Sequence, residues 1–328
     1  MKNGKPLVWI LDDEWTNHQM EKEIFNENGF LLKVTSSKTV EQDFPLFAPY
    51  ADGVIAQVGF SCDQTIINEL NSCKVIATYG VGFNHIDIAA ATRKGIPVCN
   101  VPDYCVEEVS DHTIALIFSV TRRIQSYSAQ VKRGHWDALN TLPIKRFKDN
   151  TVGLLGFGRI ARAVAAKLKP FGARLIAHDN YVPKQVFEEY AVTPVTFEEL
   201  IQQSNLLSLH VPLSPETANI LNYDRMKMMP RGAFIINTSR GGIVNEEDLT
   251  RLLDSGHLGG AGLDVLKQEP PSVDHPLLNM PEVLITPHAS YISEESVTEL
   301  RKRTCQHMID GINGVSLPNV VNQNKVRT

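Results

Sequence analysis

The sequence predicts an α/β protein with two Rossmann-like or flavodoxin-like domains, each a doubly wound parallel sheet, and a cleft between them. Short apolar runs alternate with amphipathic segments of helical period along most of the chain, a pattern typical of parallel sheets with helices on both faces. A glycine-rich turn at residues 156–161 joins one apolar run directly to a helical segment. The length of 328 residues is sufficient for two domains of ordinary size.

The first predicted α/β unit covers about the first hundred residues. Its apolar runs predict strands at residues 7–11, 30–34, 53–58, 74–78 and 97–100. The segments of helical period between them predict helices at 16–28, 64–71 and 86–94. Gly29 and Gly95 directly follow two of these segments, and glycine commonly ends a helix.

A long amphipathic helix is predicted at residues 106–132, and we interpret it as the bridge between the two domains. Glu107 and Glu108 lie near its start, and Arg122 and Arg123 lie in its second half, a polarity that complements the helix dipole.

The second α/β unit begins at Thr151. We predict strands at 151–155, 174–179, 206–210, 233–238, 260–265 and 283–286, with helices at 159–171, 197–203, 223–229, 246–255 and 294–313.

The composition is that of an ordinary globular protein, with 43% hydrophobic and 21% charged residues. A net charge of −5 implies no basic surface, so nucleic acid is not expected as a partner. The five cysteines form no CxxC pair, which speaks against a disulfide framework or a zinc site, and no metal is expected. No apolar run approaches membrane-spanning length, and the run at residues 6–11 is interpreted as a strand rather than a signal peptide. We therefore expect a cytoplasmic protein with no membrane partner.

The turn at residues 156–161 fits the dinucleotide-binding pattern G-x-G-x-x-G/A. Gly156 allows a tight turn, Gly158 lets the backbone approach a pyrophosphate, and the following helix would offer free N–H groups. The next predicted strand ends at Asp179, whose carboxylate would bind an adenosine ribose diol and repel a 2′-phosphate. This spacing predicts NAD as the cofactor. The alternative is a simple connecting turn with Asp179 as a solvated strand end.

Several polar residues follow the later predicted strands: His210, Thr238, Arg240, Asp264 and His288. Because ligands bind beyond the carboxyl ends of parallel strands, these residues are expected to face one crevice, although each alone is compatible with a structural role. With NAD present, they indicate hydride transfer at a carbon that bears a hydroxyl group. His288 is a candidate acid or base, oriented by Glu269, and Arg240 is a candidate clamp for a substrate carboxylate.

The chain resembles the D-isomer-specific 2-hydroxyacid dehydrogenases over essentially its full length. The motifs that carry the resemblance lie at residues 79–87, 100–104, 111–116, 153–161, 209–212, 237–244, 262–265 with Glu269-Pro270, and 286–288.

The resemblance implies a role for each matching position. Catalytic residues would be Arg240, Glu269 and His288, with His288 protonating the carbonyl oxygen in reduction. The substrate would be bound by Tyr79, Gly80, Val81, Gly82 and Arg240. The cofactor would be bound by Thr113, Gly156, Gly158, Arg159, Ile160, Asp179, His210, Pro212, Thr238, Asp264 and His288.

The resemblance also implies a discontinuous substrate domain of residues 1–101 and 290–328, an NAD-binding domain of residues 102–289, and a homodimer. The substrate would be a small 2-hydroxy or 2-oxo acid such as glyoxylate, hydroxypyruvate or pyruvate. Phosphoglycerate dehydrogenases commonly carry Arg-Ser where this chain has Gln57-Val58, and Thr78 stands where a basic residue is common. Both departures argue against 3-phosphoglycerate. The alternative is an NADH-sensing binding protein similar to the carboxy-terminal binding protein corepressors, with little turnover.

Overall fold

The computed structural model describes residues 4–15, 17–139 and 143–322. The chain forms two compact units, Met1–Tyr104 with Ser293–Thr328, and Cys105–Ile292. The first unit is therefore discontinuous in sequence, and the second is inserted into it. The chain passes from one unit to the other after Tyr104 and again after Ile292. Each position is three residues after the boundary expected from the sequence.

The two units contain twelve strands and twelve α-helices within the described residues, numbered in chain order. The strands are β1 (Leu7–Leu11), β2 (Leu31–Thr35), β3 (Gly53–Ala56), β4 (Val75–Thr78), β5 (Val98–Cys99), β6 (Thr151–Leu155), β7 (Arg174–His178), β8 (Thr193–Pro194), β9 (Leu206–Leu209), β10 (Ala233–Asn237), β11 (Leu258–Leu263) and β12 (Val283–Ile285).

The helices are α1 (Gln19–Glu27), α2 (Val40–Phe47), α3 (Gln64–Glu69), α4 (Ile88–Arg93), α5 (Val106–Thr121), α6 (Ile124–Lys132), α7 (Arg159–Leu168), α8 (Lys184–Glu189), α9 (Phe197–Gln203), α10 (Tyr223–Lys227), α11 (Glu246–Asp254) and α12 (Glu294–Ile312). Short 3-10 helices occur at Ala48–Tyr50, Phe147–Asp149, Lys169–Phe171, Gly241–Ile243 and Pro276–Asn279.

The first unit has a five-stranded sheet of order β2-β1-β3-β4-β5, in which all neighbouring strands are parallel. The strand order reverses between β1 and β3. Helix α12 packs closely on this sheet because two glycines remove side chains at the contact. A Cβ on Gly53 would lie 2.9 Å from the sulfur of Met308, and one on Gly311 would lie 2.7 Å from Val75. The C-terminal helix is therefore an integral part of the first unit.

The second unit has a seven-stranded parallel sheet of order β12-β11-β10-β9-β6-β7-β8. One face carries a core that includes Leu116, Ile117 and Val164 of α5 and α7. The opposite face packs against α9, α10 and α11 through residues such as Met226 and Leu249. The strand order reverses between β6 and β9, which is where ligands bind in sheets of this type. The prediction of two parallel-sheet α/β domains is confirmed.

The predicted single helix at 106–132 is wrong. Helix α5 ends at Thr121, Arg123 adopts a left-handed φ of 56°, and α6 then starts a new helical segment. The guanidinium of Arg123 is buried, donates to the carbonyl oxygen of Gly259 at 2.9 Å and lies over the ring of Phe234. These tertiary contacts hold Arg123 in a conformation that helical periodicity does not reveal.

The remaining differences concern short elements and ends. Helices α2 and α8 and strand β8 were not predicted, and α1 begins at Gln19 rather than at residue 16, which lies outside the described residues. Over the described parts of the chain, every helix is too short or too polar to cross a membrane.

Candidate active site

The glycine turn after β6 is shaped by one close backbone contact. Gly156 has a φ of +87°, and a Cβ there would lie 2.7 Å from the carbonyl oxygen of His210. A side chain is therefore excluded on both conformational and steric grounds. Gly158 caps α7, and a Cβ there would meet nothing within 4 Å. It leaves the first N–H groups of α7 open to a diphosphate, so the turn fits a dinucleotide.

Asp179 directly follows β7 and turns its carboxylate toward the glycine turn. Its Oδ2 accepts a hydrogen bond from the N–H of Phe157 at 2.8 Å, and its Oδ1 accepts from the N–H groups of Tyr181 and Val182 at 2.8 and 3.2 Å. An ionised carboxylate has about four acceptor positions, so it can still accept from a ribose hydroxyl. The predicted ribose ligand therefore also anchors the turn.

His210 follows β9 on the other side of the point where the strand order reverses. Its Nε2 lies 2.9 Å from Oγ of Ser208. Burial lowers the pKa of His210 from 6.5 to about 4, so the imidazole is neutral at physiological pH. Pro212 lies in the same loop, where its carbonyl oxygen accepts a hydrogen bond from Thr217.

Arg240 lies in a loop after β10 whose backbone is tightly held. Oγ of Ser239 donates to the carbonyl oxygen of Leu209 at 2.6 Å, and the side-chain amide of Asn237 donates to the carbonyl of Arg240 at 2.9 Å. A Cβ on Gly241 would lie 1.9 Å from the carbonyl carbon of Leu266. Glycine therefore permits direct backbone contact between the Arg240 loop and the segment that leads to Glu269.

His288 and Glu269 form a direct pair, with Nδ1 and Oε2 separated by 2.7 Å. Because a carboxylate only accepts, Nδ1 carries a proton and Nε2 is left to gain or lose one. Partial burial acts to raise the pKa of Glu269. The bond and charge of His288, the N–H of Leu266 and the charge of Arg240 outweigh this effect and lower the pKa of the carboxyl below 4.5. A histidine with a carboxylate partner and an arginine close by is an arrangement that can supply general acid catalysis.

Asp264, a predicted cofactor-lining residue, also holds the loop that carries His288. The residue is 1% exposed. Its Oδ1 accepts from Oγ1 of Thr286 at 2.6 Å and from the N–H of Ala289 at 2.9 Å, and its Oδ2 accepts from the N–H of Ser290 at 2.9 Å. The N–H of His288 donates to the Asp264 carbonyl at 2.8 Å. Asp264 thus anchors the loop that carries His288, because its oxygens accept hydrogen bonds from residues of that loop.

Thr113 and Thr238 are both buried and lie against each other, with their Oγ1 atoms 3.0 Å apart. Thr238 is 9% exposed, whereas Thr113 is completely buried beneath it. The structure thus places Thr113 behind Thr238, and its contribution to the cofactor site stays a prediction. His112 and Thr286 contact each other at 2.9 Å. They were missed as functional candidates, although both lie within the sequence motifs at 111–116 and 286–288.

The predicted substrate-binding turn at 79–82 lies in the first unit. The carbonyl of Gly80 accepts from the N–H of Val101 at 3.0 Å, and that of Val81 accepts from the side-chain amide of Asn100 at 2.7 Å. These two hydrogen bonds fix the carbonyl groups of the turn. The N–H groups of Val81 and Gly82 have no acceptor in the described part of the chain. Such adjacent free N–H groups are typical of anion-binding turns.

The side chain of Tyr79, a predicted substrate-binding residue, is buried in this structure. It is 2% exposed, its ring lies 4.4 Å from that of Trp15, and its hydroxyl donates to Glu21 at 3.3 Å. The ring is therefore part of the interior of the first unit.

The comparison that decides the family covers the glycine turn, Arg240, Glu269 and His288 together. Residues 114–290, more than half of the chain, match the family model described as "D-isomer specific 2-hydroxyacid dehydrogenase, NAD binding domain". The chain belongs to the D-isomer-specific 2-hydroxyacid dehydrogenase family. The resemblance seen in the sequence is thereby confirmed, and so are NAD as cofactor and an oxidoreductase acting on the CH–OH group of 2-hydroxy acids.

Individual members of the family are similar over most of the chain. A D-3-phosphoglycerate dehydrogenase of Methanocaldococcus jannaschii is 36% identical over 83% of this chain. The matched region spans 52% of the length of that relative. A glyoxylate reductase of Korarchaeum cryptofilum is 33% identical over 84% of each protein. A D-lactate dehydrogenase of Aquifex aeolicus, solved with NAD and lactic acid, is 26% identical and superposes with a TM-score of 0.85, covering 97% of both chains.

Proposed function

We propose that this dehydrogenase is an NADH-dependent reductase of small, unphosphorylated 2-oxo acids such as glyoxylate, hydroxypyruvate or pyruvate. The observation that carries this proposal is the pairing of His288 with Glu269 at 2.7 Å, with the charge of Arg240 acting on the same carboxylate. The resemblance to a glyoxylate reductase and a D-lactate dehydrogenase supports the same substrate class.

Each group at the site has a separate role in the reaction. NAD, when bound in its reduced form, supplies the hydride for the carbonyl carbon. His288 delivers a proton from Nε2 to the carbonyl oxygen, while Glu269 holds Nδ1 and stabilises the imidazolium before transfer. Arg240 binds the substrate carboxylate and carbonyl through its planar guanidinium. The overall reaction consumes a 2-oxo acid, NADH and a proton and yields a 2-hydroxy acid and NAD.

The cofactor would be held by residues at the carboxyl ends of the second sheet. Gly156, Gly158, Arg159 and Ile160 would contact the diphosphate at the N-terminus of α7, and Asp179 would accept from the ribose. His210, Pro212 and Thr238 would line the remaining cofactor surface. Residues 102–289 would form the NAD-binding domain, and residues 1–101 with 290–328 the substrate domain.

The preference for an unphosphorylated substrate rests on two neutral residues in the first unit. Gln57 is 3% exposed and accepts from the N–H of Gly59 at 2.5 Å, and Thr78 is completely buried. Neither can neutralise a phosphate. The free N–H groups of Val81 and Gly82 support a carboxylate as the group held by the turn at 79–82.

We further propose that the enzyme is a cytoplasmic homodimer. Helix α6 and the segment after it expose several large apolar side chains, including Ile124, Val131, Trp136 and Leu139, with Trp136 89% exposed. Several large exposed apolar side chains within one segment are typical of subunit contacts.

A substrate panel tests the proposal. The purified protein is assayed for NADH oxidation with glyoxylate, hydroxypyruvate, pyruvate and 3-phosphohydroxypyruvate. We expect turnover of at least one of the first three acids, and a kcat/KM for the phosphorylated acid lower by about 10-fold or more. NADPH should be a poor substitute because Asp179 repels a 2′-phosphate. Tight NADH binding without turnover of any acid would contradict the proposal and favour the corepressor-like alternative.

A further inference from the structure

Two adjacent residues of α5, His112 and Thr113, each form a hydrogen bond with a different catalytic loop. His112 reaches Thr286, two residues before His288, and Thr113 reaches Thr238, two residues before Arg240. We propose that His112 and Thr113 are positioning residues that hold the His288 and Arg240 loops in their reactive geometry. This inference rests on the proposed function, since it assigns roles relative to that site.

The direction of the first hydrogen bond follows from proton counting. Thr286 has one hydroxyl proton, and it donates this proton to the carboxylate of Asp264 at 2.6 Å. The Thr286 oxygen must therefore accept from His112 Nε2, which lies 2.9 Å away. The same nitrogen is 3.7 Å from Oδ1 of Asp264. His112 thus completes a network that binds the backbone of residues 288–290 through Asp264.

The second hydrogen bond is directed in the same way. The hydroxyl of Thr113 donates to the carbonyl of Val109, one turn earlier in α5, at 2.7 Å. Its oxygen is therefore the acceptor for the Thr238 hydroxyl at 3.0 Å. The Thr238 proton points into the protein, so its remaining lone pair can serve as an acceptor at the site.

The backbone of His288 explains why its loop needs support. Its φ of +53° lies in the left-handed region, which is unfavourable for a residue with a Cβ. Such conformations persist only where the surrounding contacts determine them. The network of His112, Thr286 and Asp264 provides those contacts.

Attachment of helix α5 to the sheet does not by itself explain the hydrogen bonds of His112 and Thr113. Helix α5 is already attached to the sheet by Leu116, Ile117 and Val120, which are all buried in an apolar core. The imidazole of His112 and the hydroxyl of Thr113 are therefore not needed to keep the helix in place. Their specific consequence is the orientation of the two loops.

Matched variants separate positioning from packing. His112→Leu removes the donor, whereas His112→Gln keeps an N–H group at similar reach. Thr113→Val keeps the side-chain shape without the hydroxyl, whereas Thr113→Ser keeps the hydroxyl. We measure kcat and KM for the best 2-oxo acid, the NADH dissociation constant, Tm and the crystal structure of each variant.

We expect His112→Leu to lower kcat by about 10-fold to 100-fold, because misplacing a catalytic group by about 1 Å has effects of this size. KM and NADH affinity should change by less than about twofold, and His112→Gln should restore most of kcat. Thr113→Val should raise KM for the 2-oxo acid by about 10-fold through the Arg240 loop, with Thr113→Ser near wild type.

The crystal structures give a readout that does not depend on turnover. In His112→Leu, we expect the distance from His288 Nδ1 to Glu269 Oε2 to exceed about 3.5 Å, beyond hydrogen-bond length, and His112→Gln to retain it. An unchanged His288 geometry in His112→Leu would overturn the inference even if the proposed function holds. A lower Tm with equal activity loss in the Leu and Gln variants would also overturn it. Absence of turnover in the wild type would contradict the proposed function alone.

Discussion

Nδ1 of His288 lies 2.7 Å from Oε2 of Glu269, although the two residues belong to loops that follow different strands, β12 and β11. These strands are parallel neighbours in the sheet, so their following loops emerge at the same edge. The pairing leaves Nε2 of His288 available to exchange a proton with a substrate. This relationship underlies the expected effects of replacing either residue.

Replacing either member of the pair should separate proton transfer from cofactor binding. His288→Asn should lower kcat by about 10²-fold to 10⁴-fold, the usual contribution of a general acid. Glu269→Gln should have a smaller effect on kcat, because the amide oxygen can still accept from Nδ1 although the negative charge is lost. Steady-state kinetics with NADH and the best 2-oxo acid check both effects. NADH affinity should stay within about twofold of wild type, and a parallel loss of NADH binding would contradict the assignment.

Arg240→Lys should weaken substrate binding more than it changes the fold. An ammonium group cannot reproduce the two parallel hydrogen bonds of a guanidinium to a carboxylate. We expect kcat/KM to fall by about 10-fold to 100-fold, equivalent to about 1.5–3 kcal/mol, mainly through KM. Arg251→Lys, an exposed site on α11, is the matched control and should behave as wild type. A normal KM in Arg240→Lys would remove the residue from the substrate site.

The two glycines of the turn after β6 should respond differently to alanine. Gly158→Ala introduces a methyl group that meets no protein atom within 4 Å, so stability should be unchanged while NADH affinity falls by about 10-fold or more. Gly156→Ala must adopt a positive φ and approach the carbonyl of His210, so it should destabilise the protein by about 1–3 kcal/mol. Urea denaturation and NADH titration distinguish the two effects. Wild-type NADH affinity in Gly158→Ala would place the diphosphate elsewhere.

Half-buried His210 should make the free energy of unfolding depend on pH in a defined window. Its pKa falls from 6.5 to about 4 on folding, so between these values the unfolded chain binds more protons than the folded one. Stability should therefore fall as the pH drops through this window, with a contribution of about 1–2 kcal/mol between about pH 7 and pH 5. His210→Gln, which can still contact Ser208, should lose this contribution in urea denaturation without cofactor. An identical pH dependence in the variant would show that His210 is not the group responsible.

Much of the fold was predictable because local patterns report which side chains are buried. The alternation of apolar runs and amphipathic segments predicted every strand of the two sheets except β8, and the glycine turn with Asp179 predicted the cofactor. The break at Arg123 was not predictable, because its cause is a contact with the carbonyl of Gly259, 136 residues later. The burial of the Tyr79 ring was missed for a similar reason, since Tyr79 follows β4 and its hydroxyl bonds to Glu21 on α1, 58 residues earlier.

The sequence by itself determined the two α/β units, the dinucleotide turn and the identity of the polar residues at the strand ends. These features depend on residue type and on periodicity over a few residues. Only the tertiary structure decided which residues meet: that Asp264 faces inward to hold the His288 loop, and that His112 contacts Thr286 across 174 residues. Pairing between distant residues depends on strand order and side-chain direction, and both are set by packing of the whole unit rather than by local pattern.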